Sequence, residues 1–294
     1  MNQLTLKKKY AENNELRERL YPLFDKVFGI KVDTFKDFYA RGFWDPTYVP
    51  FTFFNGEMAV SNVSVFEMPL MINGEKIQAA GIQSVMTDPD YRGKGLMKSL
   101  MHSALEYIDT HYESSFLMTS NPELYTKYEF NVIKEHYFIK KYLHSPKKWR
   151  TSLKRLNIFD PNDLQKIQWA FKNNSPTTLR FYPLAYAPSF YLNMYNPTLL
   201  EMVYFSSDLN VIVIFEVDEG TLRLYDIIGP ELPTLEQIFS VIPFPFNEVN
   251  LYFSPDLFDD EFSTVEYEDV VFLMARGDID FASLQIKFPI VAEF

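Results

Sequence analysis

Apolar residues recur at helical spacing near the start of the chain. Leu16, Leu20, Leu23, Phe24, Val27 and Phe28 stand three and four apart and predict a helix over Glu12 to Phe28. Phe35, Phe38 and Tyr39 predict a second, shorter helix, with Asp33 as its N-cap. The pattern then alternates. Strands are expected over Val49 to Phe54, Ala59 to Ile72 and Lys76 to Thr87. Asn55-Gly56 and Asn73-Gly74 separate them as tight turns, so the three form an antiparallel meander. Asp88-Pro89-Asp90 ends the third strand, and Arg92-Gly93-Lys94-Gly95 is a short glycine loop. Leu96, Met97, Leu100, Met101, Ala104, Leu105 and Ile108 then return to helical spacing over about four turns. Ser115 to Thr119 reads as a strand, Pro122 to Tyr128 as a short helix, and Val132 to Leu143 as a closing strand or hairpin.

A basic, polar stretch from Ser145 to Arg150 marks a boundary, and a second cycle follows. Asp160 caps a helix over Pro161 to Phe171. Strands are expected over Leu200 to Phe205, Val211 to Val217 and Thr221 to Ile228. A helix over Leu235 to Val241 and strands over Val249 to Phe253 and Val270 to Met274 complete it. The order of elements echoes the first half, although the two halves share little identity.

Composition narrows the function classes. The chain has 294 residues, room for one large domain or two ordinary ones. Its 28 Phe and 19 Tyr serve a core and sheet surfaces, or else wall a pocket. The absence of cysteine excludes disulfides, cysteine metal sites and a thiol nucleophile. Met1 to Glu18 lacks the apolar core of a signal peptide, and no apolar run reaches membrane-helix length. A cytoplasmic protein without membrane association is therefore expected. Residues 1–150 hold 20 Lys/Arg against 18 Asp/Glu, whereas residues 151–294 hold 8 against 21. An acidic second half argues against nucleic acid and is compatible with a cationic ligand, or simply solubilises the surface. His102, His111, His136 and His144 have no metal-ligand spacing, so no metal is expected.

The glycine loop carries the candidate chemistry. The first N–H groups of a helix lack internal partners, and the helix dipole makes that end positive. Glycines allow an anion to approach the backbone closely, which gives a phosphate cradle. Lys94 is followed by Gly95, which excludes the G-x-x-x-x-G-K-[ST] nucleotide loop. The preceding meander excludes a dinucleotide βαβ unit.

The longer string Val85-Met86-Thr87-Asp88-Pro89-Asp90-Tyr91-Arg92-Gly93-Lys94-Gly95-Leu96-Met97 resembles the acetyl-CoA signature of the GNAT superfamily, a strand, a Pro-containing turn and [QR]-x-x-G-x-[GA]. Arg92 and Gly95 match its first and fourth positions; Met97 is larger than usual at the sixth. Such a residue is tolerated in the two-lobed branch resembling the enhanced-intracellular-survival type acetyltransferases. Ser120 to Phe130 resembles the GNAT segment ending Y-x-x-x-G-[FY], with Tyr125 at the tyrosine position and Glu129 in place of the glycine.

The resemblance implies an α+β (mixed α/β) fold of tandem GNAT-like lobes, each a mostly antiparallel twisted sheet flanked by helices. Residues 1–145 would form the catalytic lobe and 146–294 a degenerate second lobe, without the third domain of that branch. Acetyl-CoA would be held by Val85, Met86, Thr87, Arg92, Gly93, Lys94, Gly95, Leu96, Met97, Ser120 and Asn121. Tyr125 would protonate the leaving thiolate, with Tyr128 as its rival. For the base, Glu67, Asp88, the carboxylate of Phe294 and a water chain stay open. The implied activity is acetyl transfer to a primary amine of a small cationic molecule or peptide. The alternatives are an acyl-CoA sensor without turnover and an interaction module. A homo-oligomer is left open.

Overall fold

The computed structural model describes residues 4–146, 152–281 and 283–294. In chain order the elements are β1 (Thr5–Lys8), α1 (Asn14–Phe28), α2 (Val32–Ala40), β2 (Val49–Asn55), β3 (Met58–Ile72), β4 (Glu75–Thr87), α3 (Leu96–His111) and β5 (Ser114–Thr119). Then come β6 (Asn131–Val132), β7 (Glu135–His144), β8 (Leu153–Arg155), α4 (Pro161–Lys172), β9 (Phe181–Pro183), α5 (Ala187–Asn193) and α6 (Pro197–Leu200). The last are β10 (Val203–Ser206), β11 (Val211–Asp218), β12 (Thr221–Ile228), α7 (Leu235–Val241), β13 (Phe246–Leu251), β14 (Ser263–Tyr267) and β15 (Phe272–Arg276).

Local chemistry sets the helix ends. Asn13 accepts from the Leu16 N–H at 3.0 Å, and Gly29 ends α1 in the left-handed region at φ 73°. The N-cap of α2 is Lys31, not Asp33. Asp33 sits in the first turn, where a carboxylate meets the positive helix end.

Two sheets result, ordered β1-β2-β3-β4-β5-β15-β6 and β14-β7-β13-β12-β11-β10-β8, with β9 paired to β3. Each sheet contains one antiparallel meander followed by a parallel neighbour, β4–β5 in the first and β12–β13 in the second. A helix makes each parallel crossover, α3 in the first sheet and α7 in the second. This mixed α+β architecture repeats the element order seen in the sequence.

The sheets exchange strands. Val132 to Leu143 is not one closing strand, since β6 stays on the first sheet while β7 joins the second. β15 crosses back and pairs β5 from Phe272–Thr119 to Arg276–Ser115. A cut at residue 145 therefore divides the sequence but not the sheets. No glycine or proline marks the switch near Ile133, and the strand that fills the gap lies far along the chain. The expected boundary at Ser145 to Arg150 falls mostly outside the described residues.

A buried polar joint ties the two sheets. Tyr186 donates to Asp226 of β12 at 2.5 Å, and Tyr182 hydrogen-bonds Tyr186 at 2.9 Å. Tyr182 belongs to β9, which pairs the first sheet through β3. Burial pushes the Asp226 carboxyl up to about 6, although Tyr186, the Ile227 N–H and Thr177 all donate to it.

Pro122 to Tyr128 forms two 3-10 turns rather than one helix. The second ends at Glu129, which adopts φ 69°. A side chain in that region costs about 1–2 kcal/mol. Its exposed carboxylate lies 3.6 Å from Arg276, a weak compensation. Glu129→Gly is expected to raise stability by about 1 kcal/mol in urea unfolding, because the strain outweighs the flexibility gained. A loss of stability would show that the Arg276 contact matters more.

Candidate functional site

The parallel pairing of β4 and β5 runs only from Ala79–Ser114 to Ile82–Leu117. Beyond it the strands part. From Gln83 to Thr87 the side of β4 that faces β5 has no strand partner among the described residues. An open edge of this kind can hydrogen-bond an extended, amide-bearing ligand as an added strand.

A bulge sits at the parting point. Between the pairs Ser64–Gln83 and Asn62–Met86 the register shifts, and Ser84 adopts φ 55°. A buried polar chain holds it there. Asn62 Nδ2 donates to the Ser84 carbonyl and to Ser64 Oγ, both at 2.9 Å. Thr52 Oγ1 donates to Asn62 Oδ1 at 2.6 Å, and Ser64 Oγ donates to the Tyr48 hydroxyl at 2.6 Å. The Tyr10 and Thr52 hydroxyls meet at 2.5 Å. Asn62, Ser64 and Thr52 are fully buried. Asn62→Leu would strand three buried polar partners, each costing about 1–3 kcal/mol. A stability loss of about 3 kcal/mol or more is expected in denaturant titration. A near-neutral result would show that the bulge is held by other means.

Past the bulge, Asp88 closes a turn. Its Oδ1 accepts from the Asp90 N–H at 3.0 Å and from Lys26 Nζ at 2.6 Å. Burial works to raise the Asp88 pKa, but the Lys26 ammonium and the Asp90 N–H hold it below the ordinary carboxylate range. A fixed, ion-paired carboxylate is a poor proton acceptor, so Asp88 is an anchor for the turn. Glu67 is exposed, and its N–H donates to Thr47 Oγ1 at 2.9 Å. It lies on neither cavity wall described below.

Gly93 and Gly95 both take φ 73°, and a Cβ on either would meet open space. Gly95 is the N-cap of α3, and among the described residues no side-chain cap bond closes that helix end. The first turn of α3 therefore presents its N–H groups outward. Arg92 is exposed and donates through Nε to the Thr87 carbonyl at 3.3 Å. Lys94 donates to the Asp90 carbonyl at 3.0 Å and lies 4.4 Å from the Tyr91 ring centre.

The parting strands open a cleft of about 790 Å³. Of the expected residues, Val85, Met86, Thr87, Arg92, Met97, Ser120, Asn121 and Tyr125 line it. Gly93, Lys94, Gly95 and Leu96 form the turn between two lining residues and are not on its walls. Tyr125 is 6% exposed. Burial pushes its hydroxyl up to about 12, Tyr128 adds to this, and a hydrogen bond with Thr119 opposes it. Tyr128 does not reach the cleft; it packs in the core edge-on to His102.

Other wall residues escaped the sequence reading. Phe24, Val27 and Phe28 come from α1, whose stripe was read only as the apolar face of a helix. Leu192, Val271 and Glu293 come from the second half, beside Phe294, whose carboxylate the sequence had offered as a base. A narrower pocket of about 60 Å³ lies beside the cleft at the bulge, walled by Phe35, Phe38, Trp44, Tyr48 and Phe66, with Asp45 among them. Thr47 holds the Asp45 carboxylate by bonds of 2.7 and 2.6 Å. Among the described residues, no cluster of His, Asp or Glu could hold a metal ion, and no helix is long and apolar enough to cross a membrane.

Residues 9–133 match the family model described as an acetyltransferase (GNAT) domain. An uncharacterized N-acetyltransferase, YhbS of Escherichia coli K12, is 26% identical over 68 residues, 23% of this chain. The aligned part spans 41% of that relative's length. In fold, the chain is similar to a probable N-acyltransferase of Enterococcus faecalis V583 (TM-score 0.57, 16% identity). That match covers 93% of this chain and 72% of the other. Eis1 from Mycobacterium abscessus is similar at a TM-score of 0.57 and 11% identity, over 93% of this chain and 73% of that one.

Proposed function

We propose, on the premise that residues 9–133 carry a GNAT acetyltransferase domain, that the protein transfers acetyl from acetyl-CoA to a primary amine of a small molecule or peptide. The observation that carries the reading is the free edge of β4, which leads through two left-handed glycines to the uncapped start of α3. Amides on the pantetheine arm suit the edge, and the pyrophosphate suits the helix start. Backbone groups do this work, so the bulk of Met97 does not disturb it. The thioester supplies the activated acyl group. Tyr125 stands on the cleft wall, protonated at any physiological pH, to donate a hydrogen bond to the departing sulfur.

The side pocket suits the acceptor. Aromatic faces attract an ammonium group, and Asp45 adds a carboxylate beside them. A cationic amine on a slender body fits such a space better than a bulky neutral one. A sequence free of cysteine suits the reducing cytoplasm. The test is thiol release from acetyl-CoA with polyamines, aminoglycosides, amino acids and peptides, alongside calorimetry. Failure to bind acetyl-CoA would sink the reading. Tight binding with a silent panel would favour the sensor alternative.

A further inference from the structure

We propose that Glu293, brought in by the second half of the chain, is the general base that takes the acceptor's proton. This inference rests on the acetyl-transfer reading and completes it. Six residues stand on the walls of both the cleft and the aromatic side pocket, namely Phe24, Gln83, Ser84, Leu192, Glu293 and Phe294. Glu293 alone among them carries a titratable side chain. It stands where the space suited to the thioester meets the space suited to the amine.

The backbone at this point is fixed. Asn193 Nδ2 donates to the carbonyls of Val291 at 3.2 Å and Glu293 at 2.9 Å. The Phe294 ring packs edge-on to Phe66 at 5.0 Å and to Phe288 at 6.0 Å. The carboxylate itself is partly buried, and no described residue engages it in a hydrogen bond or ion pair. Lys287 is the near cation, but it is committed to Glu135 at 3.1 Å, with both groups buried. Glu135, Asp269 and the Tyr267 hydroxyl are further charged or titratable neighbours, and the α-carboxylate of Phe294, left open as a base above, is the rival on the same two walls. The faces from α1, α5 and β4 are Phe24, Leu192, Gln83 and Ser84, none of which titrates. Burial pushes the Glu293 carboxyl up to about 7, Lys287 opposes it, and Glu135 and Asp269 add to it. Asp45 is the competing carboxylate, but it lies on the side pocket alone and is held by Thr47.

The chemistry balances. Glu293 takes one proton from the ammonium and frees the nitrogen lone pair. Nitrogen attacks the acetyl carbonyl, the N–C bond forms, and the C–S bond breaks with its electron pair leaving on sulfur. The second nitrogen proton ends on the thiolate beside Tyr125, and Glu293 returns its proton to water. One amide, one free thiol and one proton are released.

Glu293→Gln in the full chain tests the assignment. Affinity for acetyl-CoA should stay within about twofold by calorimetry, and kcat should fall by about 100-fold or more. The wild-type kcat profile should rise through about pH 7, and in the variant that limb should move up toward the pKa of the amine. Glu293→Asp should recover part of the rate and keep the limb. Carbon-13 NMR of the glutamate carboxyls, without substrate, should show one midpoint near 7 that vanishes in Glu293→Gln. An unmoved limb, or no such midpoint, overturns the base assignment while turnover persists. A wild-type protein that neither binds nor turns over acetyl-CoA overturns the underlying reading instead.

Discussion

Gly95→Glu is expected to weaken acetyl-CoA binding by about 100-fold or more, the largest effect of any single change on the coenzyme side. Gly95 is the N-cap of α3 at φ 73°, a conformation that costs another residue about 1–2 kcal/mol. The loop can shed that strain by leaving its present shape, and the ligand must then restore it. The new carboxylate also neutralises the positive end of α3, worth about 0.3–1 kcal/mol, and repels the pyrophosphate. Gly95→Ala keeps the strain without the charge and should lose about tenfold. Calorimetry with acetyl-CoA reads both. Unchanged affinity in Gly95→Glu would remove the coenzyme from this loop.

Tyr125→Phe should lower kcat by about 10- to 100-fold and leave coenzyme affinity within about twofold. The hydroxyl has its largest value once negative charge gathers on sulfur, because hydrogen bonds to charged groups are worth about 1.5–3 kcal/mol. The pH sign follows from its raised pKa. The donor form is lost only as pH climbs through about 12. Tyr125 therefore imposes no falling limb on the wild-type profile below about pH 11. A falling limb nearer 9, or a Phe variant as fast as wild type, would assign proton delivery to another group.

Much of the fold was legible because it is local. The α1 and α3 stripes, the Asn-Gly turns and the meander β2-β3-β4 each follow from residues a few positions apart. The elements that were missed are short, as in β1, β8, β9 and β14, and take their structure from partners elsewhere. Leu200 was read into a strand, but Asn196 caps a short helix there and delays β10 to Val203. The donor side of the site was legible for a similar reason, since Val85 to Met97 is one continuous motif. The bulge was not, because its cause is Asn62 across the sheet, in a run that reads simply as alternating strand. Glu293 was also invisible, since one acidic residue among many carries no sign of what it will face.

The strand exchange has a consequence for how the chain is made. On a ribosome, β5 emerges long before β15, and its outer edge stays unpaired while the intervening residues are synthesised. Contacts of such long sequence separation form slowly. The wall that carries Glu293 arrives later still. A nascent first half can thus show the cradle for a coenzyme well before it has the carboxylate assigned to turnover, so competence is withheld until the second half is in place.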